Sequence, residues 1–377
     1  MAFEEYGFER EPFLPELQVP MRGREEEWEK ITVFLNESLS GSRIRGFLIL
    51  SDYGYGKTYM LNKIREEMDH PQSSINNADK TMCVSIKLGR TEPEKSISYE
   101  YVTKIFFSIG LDRWKQISKK IRRNKMEDFT KNIQLVITGL KSNNDIAFDW
   151  LSGDTLTSSE RTSLGVKTKF HPRQATTIFM DFLHAMKIAG YLNLLILIDE
   201  FEYAVNVYSE AKLTALFHTF KDIYDDFNEK GGHDYFAKHI QMIAMTPRGW
   251  TVVTDLEAKY KRGIGGGGIT PWLDRMRFER DQVTLGPLDN EASKAILIDR
   301  INRVRLRFKN LPYETFPFIE PSFFDVMVQI AKGKPRDLLD FSEIVLEEAI
   351  RKKMREINGD VVLSIMKEYG LIKDIEH

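Results

Sequence analysis

An α/β fold is what the sequence predicts: a three-layer phosphate-loop domain on a parallel sheet, with a small all-helical C-terminal lid domain. Three observations carry this reading. Strand-like apolar runs alternate with amphipathic helical segments, the pattern of a parallel sheet covered on both faces. The run "LNLLILIDEFE" is continuously apolar and ends in acids, as a central parallel strand does. Beyond Asp289 only helical periodicity remains. The expected boundary lies near Gly286-Pro287, giving a larger domain over 1–286, with a helical insertion at about 98–165, and a lid over 287–377.

The elements follow in order. "REEEWEKITVFLNESL" places Trp28, Ile31, Phe34 and Leu35 on one helical face ahead of the first strand. Phe47 to Leu50 reads as that strand. A glycine-containing turn follows, then a helix with Tyr59, Met60, Ile64 and Met68 at helical spacing. "TMCVSIKLG" is a second strand, and residues 98–148 are helical in pattern. "ATTIFMDFLHAMKIAG" is a helix closed by Gly190, ahead of the "LLILID" strand. "KLTALFHTFKDIYDDF" is a helix, and "HIQMIAMTPRGW" is a strand ending in polar residues. "KYKRGIGGGGITPW" is a loop, because consecutive glycines disfavour helix and strand alike. "DQVTLGPL" is the last strand. Three helices remain, in "NEASKAILIDRINRV", "SFFDVMVQIA" and "RDLLDFSEIVLEEAIRKKM".

Composition narrows the class. A net charge of −2 excludes a chain that is basic all over and leaves room for a local basic patch. The single cysteine, Cys83, excludes an intramolecular disulfide and a thiolate zinc cluster. A reducing, cytoplasmic setting is expected. The opening "MAFEEYGFEREPF" is acidic and aromatic, unlike a signal peptide. No apolar run approaches the roughly 18 residues of a spanning helix, so no membrane partner is expected.

The chemistry concentrates in two places. In the first, Ser51, Asp52, Tyr53, Gly54, Tyr55, Gly56, Lys57 and Thr58 nearly match G-x-x-x-x-G-K-[ST], with Ser51 in place of the first glycine. Such a loop aims backbone N–H groups at phosphates, and the following helix adds its N-terminal dipole. Lys57 would reach the β/γ-phosphates of ATP, and the Thr58 hydroxyl would ligate Mg²⁺. Tyr59 completes the first turn beside the nucleotide. Ser51 stands at the strand exit, where a small residue serves if its φ is negative. In the second place, Asp199 would hold Mg²⁺ and Glu200 would act as general base on the attacking water. Two acids there could equally cap the next helix; their pairing with Lys57-Thr58 favours the catalytic reading. Thr246, at the end of a further strand, could orient water near the γ-phosphate or simply end the strand.

These pieces, in this order, resemble the AAA+ ATPases, in particular the origin-recognition/Cdc6-like branch. "VPMRGREEEWEKITVFL" resembles that branch's N-terminal helix beside the adenine. The resemblance makes Thr246 the sensor-1 residue. "GKPRDLLDFSEIV" resembles the G-x-P-R sensor-2 motif, which makes Arg336 the lid arginine at the γ-phosphate. A narrower resemblance joins "SDYGYGKTYML", "WLSGDTLTSSERTSLGV" and "KIAGYLNLLILIDEFE" to the ATP-binding proteins of BREX-type phage-exclusion systems. It implies antiviral defence and partner proteins of a multi-component system. Only "INGDVVLSIMKEYGLIKDIEH" follows the lid, too short for the DNA-gripping winged helix of the origin-recognition relatives. DNA binding through that module is therefore not implied.

The AAA+ resemblance also implies a homo-oligomer in which an arginine completes a neighbour's site. In "WLDRMRFERDQVTL" Arg277 fits best, with Arg275 and Arg280 as rivals; each could instead be a solvated helix end. "RWKQISKKIRRNK" carries Arg113, Lys115, Lys119, Lys120, Arg122, Arg123 and Lys125 without an intervening acid. Lys259, Lys261 and Arg262 flank the glycine-rich loop. Both stretches are candidates for sequence-independent contact with double-stranded DNA, or solvated faces. The sequence as a whole predicts an ATP-hydrolysing enzyme acting on or beside DNA. The alternative is a slow nucleotide-dependent switch or scaffold that recruits partner proteins.

Overall fold

The five apolar runs form one parallel sheet in the computed structural model, which describes residues 2–14, 17, 19–89, 96–168, 170–261, 270–306 and 311–372. Helix α1 (Glu25–Ser40) precedes β1 (Gly46–Leu50). Helix α2 (Lys57–Asp69) leads to β2 (Thr81–Lys87). A helical stretch follows with α3 (Ile97–Ile109), α4 (Leu111–Lys120), α5 (Lys131–Lys141) and α6 (Ala175–Ile188). Strand β3 (Asn193–Asp199) is succeeded by α7 (Phe201–Val207) and α8 (Glu210–Glu229). Strand β4 (Lys238–Met245) leads to α9 (Pro247–Lys261), α10 (Thr270–Met276) and β5 (Gln282–Thr284). Four longer helices complete the chain: α11 (Asn290–Arg303), α12 (Ser322–Ala331), α13 (Pro335–Arg351) and α14 (Gly359–Glu368). No helix among the described residues is long and apolar enough to cross a membrane.

The chain forms two compact units, one of residues 30–51 with 57–284, the other of residues 1–29, 52–56 and 285–377. In the first, the strand order is β2-β3-β4-β1-β5, every pairing parallel. Residues of β1, β3 and β4 are buried throughout, which is why these strands read as continuous apolar runs rather than alternating ones. Register places Lys87 opposite Asp199 and Leu50 opposite Met245, so the strand exits of β1 to β4 share one edge. An aromatic layer covers one face of the sheet. Phe106 of α3 meets Trp114 of α4 edge-on at 5.2 Å and Phe182 of α6 at the same distance. Trp114 and Phe106 are each essentially buried, and full burial of one such ring contributes roughly 1.5–3 kcal/mol. The insertion is thereby fixed on the sheet.

The basic segment departs from its reading as one helical stretch. α4 ends at Lys120, Ile121 takes an extended conformation and a short 3₁₀ helix runs from Arg123 to Asp128. Ile121 is buried, and its burial turns the chain.

The second unit has its own core. Phe318, Phe323, Met327, Leu346 and Ile365 are buried together with Tyr6, Phe8, Phe13 and Leu17 from the start of the chain. Phe13 meets Phe318 edge-on at 5.7 Å, and the Tyr6 hydroxyl donates to the Ala349 carbonyl at 3.2 Å. The N-terminal residues thus pack as an additional layer on the C-terminal helices.

Candidate functional site

Parallel strands deliver their C-terminal ends to a single edge, where α/β proteins hold ligands. In the first unit this edge collects Ser51, Lys87, Asp199, Glu200 and Thr246. Ser51 is buried, its N–H bonds the Met245 carbonyl at 3.1 Å, and its φ is not positive. The position therefore requires no glycine, which accounts for serine there. Lys57 begins α2; its Nζ donates to the Ser51 carbonyl at 2.7 Å and lies 3.8 Å from Glu202 Oε1. The Thr58 hydroxyl donates to Asp199 Oδ2 at 2.9 Å. Two residues 141 apart in sequence are thus hydrogen-bonded.

Glu200 has φ 52°, a left-handed conformation uncommon for a side chain of this kind. Its N–H bonds Asp199 Oδ1 at 2.9 Å, so the turn is held by the neighbouring carboxylate. Strain of this kind persists where the surroundings over-determine it, commonly at functional sites. Lys87 lies 3.0 Å from Glu200 Oε1 and 3.5 Å from Asp199 Oδ2. Burial disfavours its charge, but the bond to Glu200 and the field of Asp199 more than offset this, and its pKa is raised. The Thr246 hydroxyl accepts the Gly249 N–H at 3.2 Å and so caps α9.

Thr58 and Asp199 offer one hydroxyl and one carboxylate to a cation. No cluster of three or more His, Cys, Asp or Glu suited to a metal occurs among the described residues. This donor set fits Mg²⁺, which keeps several waters and takes one or two carboxylates plus substrate phosphates.

The loop tip, residues 52–56, belongs to the second unit. Gly54 and Gly56 have φ 86° and 100°, conformations that other residues rarely adopt. The Gly54 carbonyl accepts the Arg336 N–H at 3.1 Å. A Cβ on Gly54 would lie 2.7 Å from Lys334 Cε and 3.0 Å from Arg336 Cβ, so the glycine also permits close packing. Arg336 thus sits at the loop tip by its backbone, with its guanidinium 3.8 Å from Asp340 and largely exposed. Arg24, buried, donates to the Gly286 carbonyl at 2.5 Å and approaches the Tyr55 carbonyl at 3.5 Å. Tyr53 and Asp52 are exposed.

The arginines before β5 occupy the other edge of the sheet. Gln282 pairs with Leu48, so residues 277–281 enter β5 at the end where Arg45 enters β1, and Arg45 pairs with Asp281 at 2.9 Å. The length of β1, about 16 Å at 3.3 Å per residue, separates them from the strand exits. Arg275 pairs with Asp225 at 2.8 Å and lies over the Tyr224 ring. Arg280 is 3.7 Å from Asp281. Arg277 is exposed, has φ 55°, and makes no ion pair among the described residues. It lines a cavity of about 720 Å³ with Arg43, Arg45, Arg275 and Arg280.

Three of the seven cations in the basic run face acids. Arg113 faces Asp69 at 3.7 Å, Lys115 pairs with Asp145 at 2.6 Å and Lys125 with Asp128 at 3.3 Å. Lys120 Nζ donates to the Ala189 carbonyl at 2.8 Å. Lys119, Arg122 and Arg123 are left exposed. Lys259 pairs with Glu210 at 2.5 Å; Arg262 and the four glycines lie outside the described residues.

Three residues at this edge and loop escaped the sequence reading. Lys87 was signalled only by its place at the end of the neighbouring strand, Glu202 by the second glutamate in "DEFE", and Lys334 by its place within "GKPR".

The fold is that of the AAA+ ATPases. The Aeropyrum pernix ORC2 protein, in its ADPNP–ADP complexes, superposes with a TM-score of 0.54 at 13% identity over 96% of this chain and 72% of its own. Cdc6p from Pyrobaculum aerophilum gives 0.54 at 14% identity, covering 95% and 70%. Residues 113–250 match the family described as BREX system ATP-binding protein BrxC/D, so both resemblances read from the motifs are borne out. No curated protein matches the sequence.

Proposed function

We propose that the protein binds and hydrolyses ATP with Mg²⁺, as an oligomer acting on or beside DNA. The observation that carries this reading is the Thr58–Asp199 hydrogen bond, which joins a phosphate-loop helix to the acidic end of a neighbouring strand. The loop 51–58 takes the phosphates through its backbone N–H groups, and Lys57 takes the β/γ-phosphates. Thr58 and Asp199 would hold Mg²⁺, which would supply positive charge against the phosphates. Glu200 accepts a proton from water as the water oxygen bonds the γ-phosphorus and the bond to the β–γ bridging oxygen breaks. Thr246 orients that water, and Arg336, placed at the loop tip by its N–H, contacts the γ-phosphate. Arg277 completes the site of a neighbouring subunit: its position at the opposite strand ends favours action in trans over action in cis. A working boundary near Gly286-Pro287 separates the catalytic domain from the lid, in a cytoplasmic protein.

Steady-state phosphate release with ATP and Mg²⁺ tests this. Lys57→Ala should abolish most ATP binding, and Glu200→Gln should retain binding and slow turnover by about 10²-fold or more. Intact turnover in Glu200→Gln and Asp199→Asn would place hydrolysis elsewhere.

DNA contact rests on Lys119, Arg122 and Arg123 and on the Lys259–Arg262 segment. Each phosphate neutralised contributes about −0.9 to the log–log slope of affinity against salt, so these few cations give a shallow salt dependence. A second reading, the slow switch that recruits partner proteins, is favoured by the Lys87–Glu200 ion pair, which occupies the proposed base. The BREX-family match supports partners of a multi-component defence system under either reading. Turnover measured with and without duplex DNA separates the two: stimulation supports the first, a slow and DNA-indifferent rate the second.

A further inference from the structure

We infer that Glu202 is a positioning residue for the nucleotide site: its buried carboxylate competes with phosphates for Lys57 and so limits how tightly the loop grips a nucleoside di- or triphosphate. The inference rests on the 51–58 loop being that site.

Glu202 lies on the first turn of α7, beside Phe201, whose complete burial fixes the turn against the core. It is 1% exposed, and neither carboxylate oxygen has a hydrogen-bond partner among the described residues. A buried carboxylate in that condition is costly unless a cation stands near it. The cation is Lys57, 3.8 Å away, too long for a hydrogen bond. The hydrogen bond from Lys57 Nζ goes instead to the Ser51 carbonyl, so the ammonium is drawn towards the end of β1.

Among the described residues no other cation pairs with Glu202. Asp199 and Glu200 at the end of β3 are acids, and Lys87 at the end of β2 pairs with those two. The turn of α9 against Glu202 presents Gly249 and Thr246; a Cβ at Gly249 would lie 3.0 Å from Glu202 Cβ and 3.3 Å from Thr246 Oγ1. Arg248, on the same turn, is exposed. Burial raises the Glu202 carboxyl above the ordinary range, and the field of Lys57 opposes that rise.

Phosphates entering the loop compete with Glu202 for Lys57 and meet its negative charge. At an effective dielectric near 20, a unit charge about 5 Å from a phosphate weakens binding by more than tenfold. Glu202→Gln keeps the shape and removes the charge. It should tighten Mg-ATP and Mg-ADP binding by about tenfold or more. AMP lacks the phosphates that the loop lysine reaches and should be unaffected. A purely structural role would weaken all three, so the sign and grading of the change are diagnostic.

The experiment is calorimetric titration of the wild type, Glu202→Gln, Glu202→Asp and Lys57→Ala with Mg-ATP, Mg-ADP and AMP. Glu202→Asp withdraws the charge by about one methylene and should give a smaller gain, which secures the result if the Gln variant does not fold. Graded gains support the inference. Equal or weaker ATP and ADP binding in the folded Glu202 variants, with wild-type binding lost in Lys57→Ala, overturns it and leaves the nucleotide site standing. Wild-type protein that binds no ATP, or Lys57→Ala that binds as well as wild type, overturns both.

Discussion

Glu200 shares its carboxylate with Lys87 at 3.0 Å, and this ion pair sets what a substitution at either position does. The ion pair occupies a carboxylate oxygen that would otherwise face water. Removing the cation frees the side chain to meet water. Lys87→Met should therefore raise turnover by about threefold or more at unchanged ATP affinity, as read by phosphate release under saturating ATP. Lower turnover would mean that Lys87 aligns Glu200 rather than restrains it. The strained φ of Glu200 belongs to the same arrangement: Asp199 holds the turn and accepts from Thr58, and Lys87 lies between the two carboxylates.

Strand β4 carries His239 in the middle of the sheet, fully buried, with neither ring nitrogen hydrogen-bonded among the described residues. Burial pushes its pKa down from 6.5 to about 3. The sign follows from linkage. Between those values the unfolded chain holds a proton that the folded chain does not, so acid favours unfolding. Stability is full above about pH 6.5 and falls by about 1.4 kcal/mol per pH unit below it, down to about pH 3. His239→Phe, which keeps a ring beside Phe179, should flatten this part of the acid limb in urea unfolding measured between pH 7 and pH 5. An unchanged slope would show that His239 is protonated in the fold. Thr246 follows the strand directly, so loosening β4 loosens the Thr246 end of the candidate site.

At the scale of the whole molecule, the sheet puts Lys57 and Arg277 at opposite ends of its strands. If Arg277 serves a neighbour, Arg277→Ala should lose turnover by about 10³-fold or more at nearly unchanged ATP affinity. Mixing Arg277→Ala with Lys57→Ala protein should restore part of the activity, since each supplies the half-site that the other lacks. Failure to recover at any ratio, with both variants shown to co-assemble, would exclude Arg277 as the shared group. Arg275 is a poorer candidate because its guanidinium is already engaged by Asp225 and Tyr224.

Local sequence determined a great deal of this protein. Continuous apolar runs announced β1, β3 and β4 because strands buried on both faces have no polar side to display. The glycine-containing turn after β1 and the acids after β3 marked the candidate site, since a phosphate loop needs φ values that glycine adopts and a cation needs carboxylates. Tertiary structure decided which charges meet. Register alone brings Lys87 opposite Asp199, and no periodicity along one strand encodes its partner strand. Packing of α7 against α9 leaves Glu202 with Lys57 as its cation, although both glutamates of "DEFE" look alike in sequence. The basic run shows the converse: its cations looked available when read along the chain, and folding set acids from distant segments against Arg113 and Lys115. Charge is a property of single residues and is legible one by one; the field each charge experiences comes from neighbours that only the fold assembles.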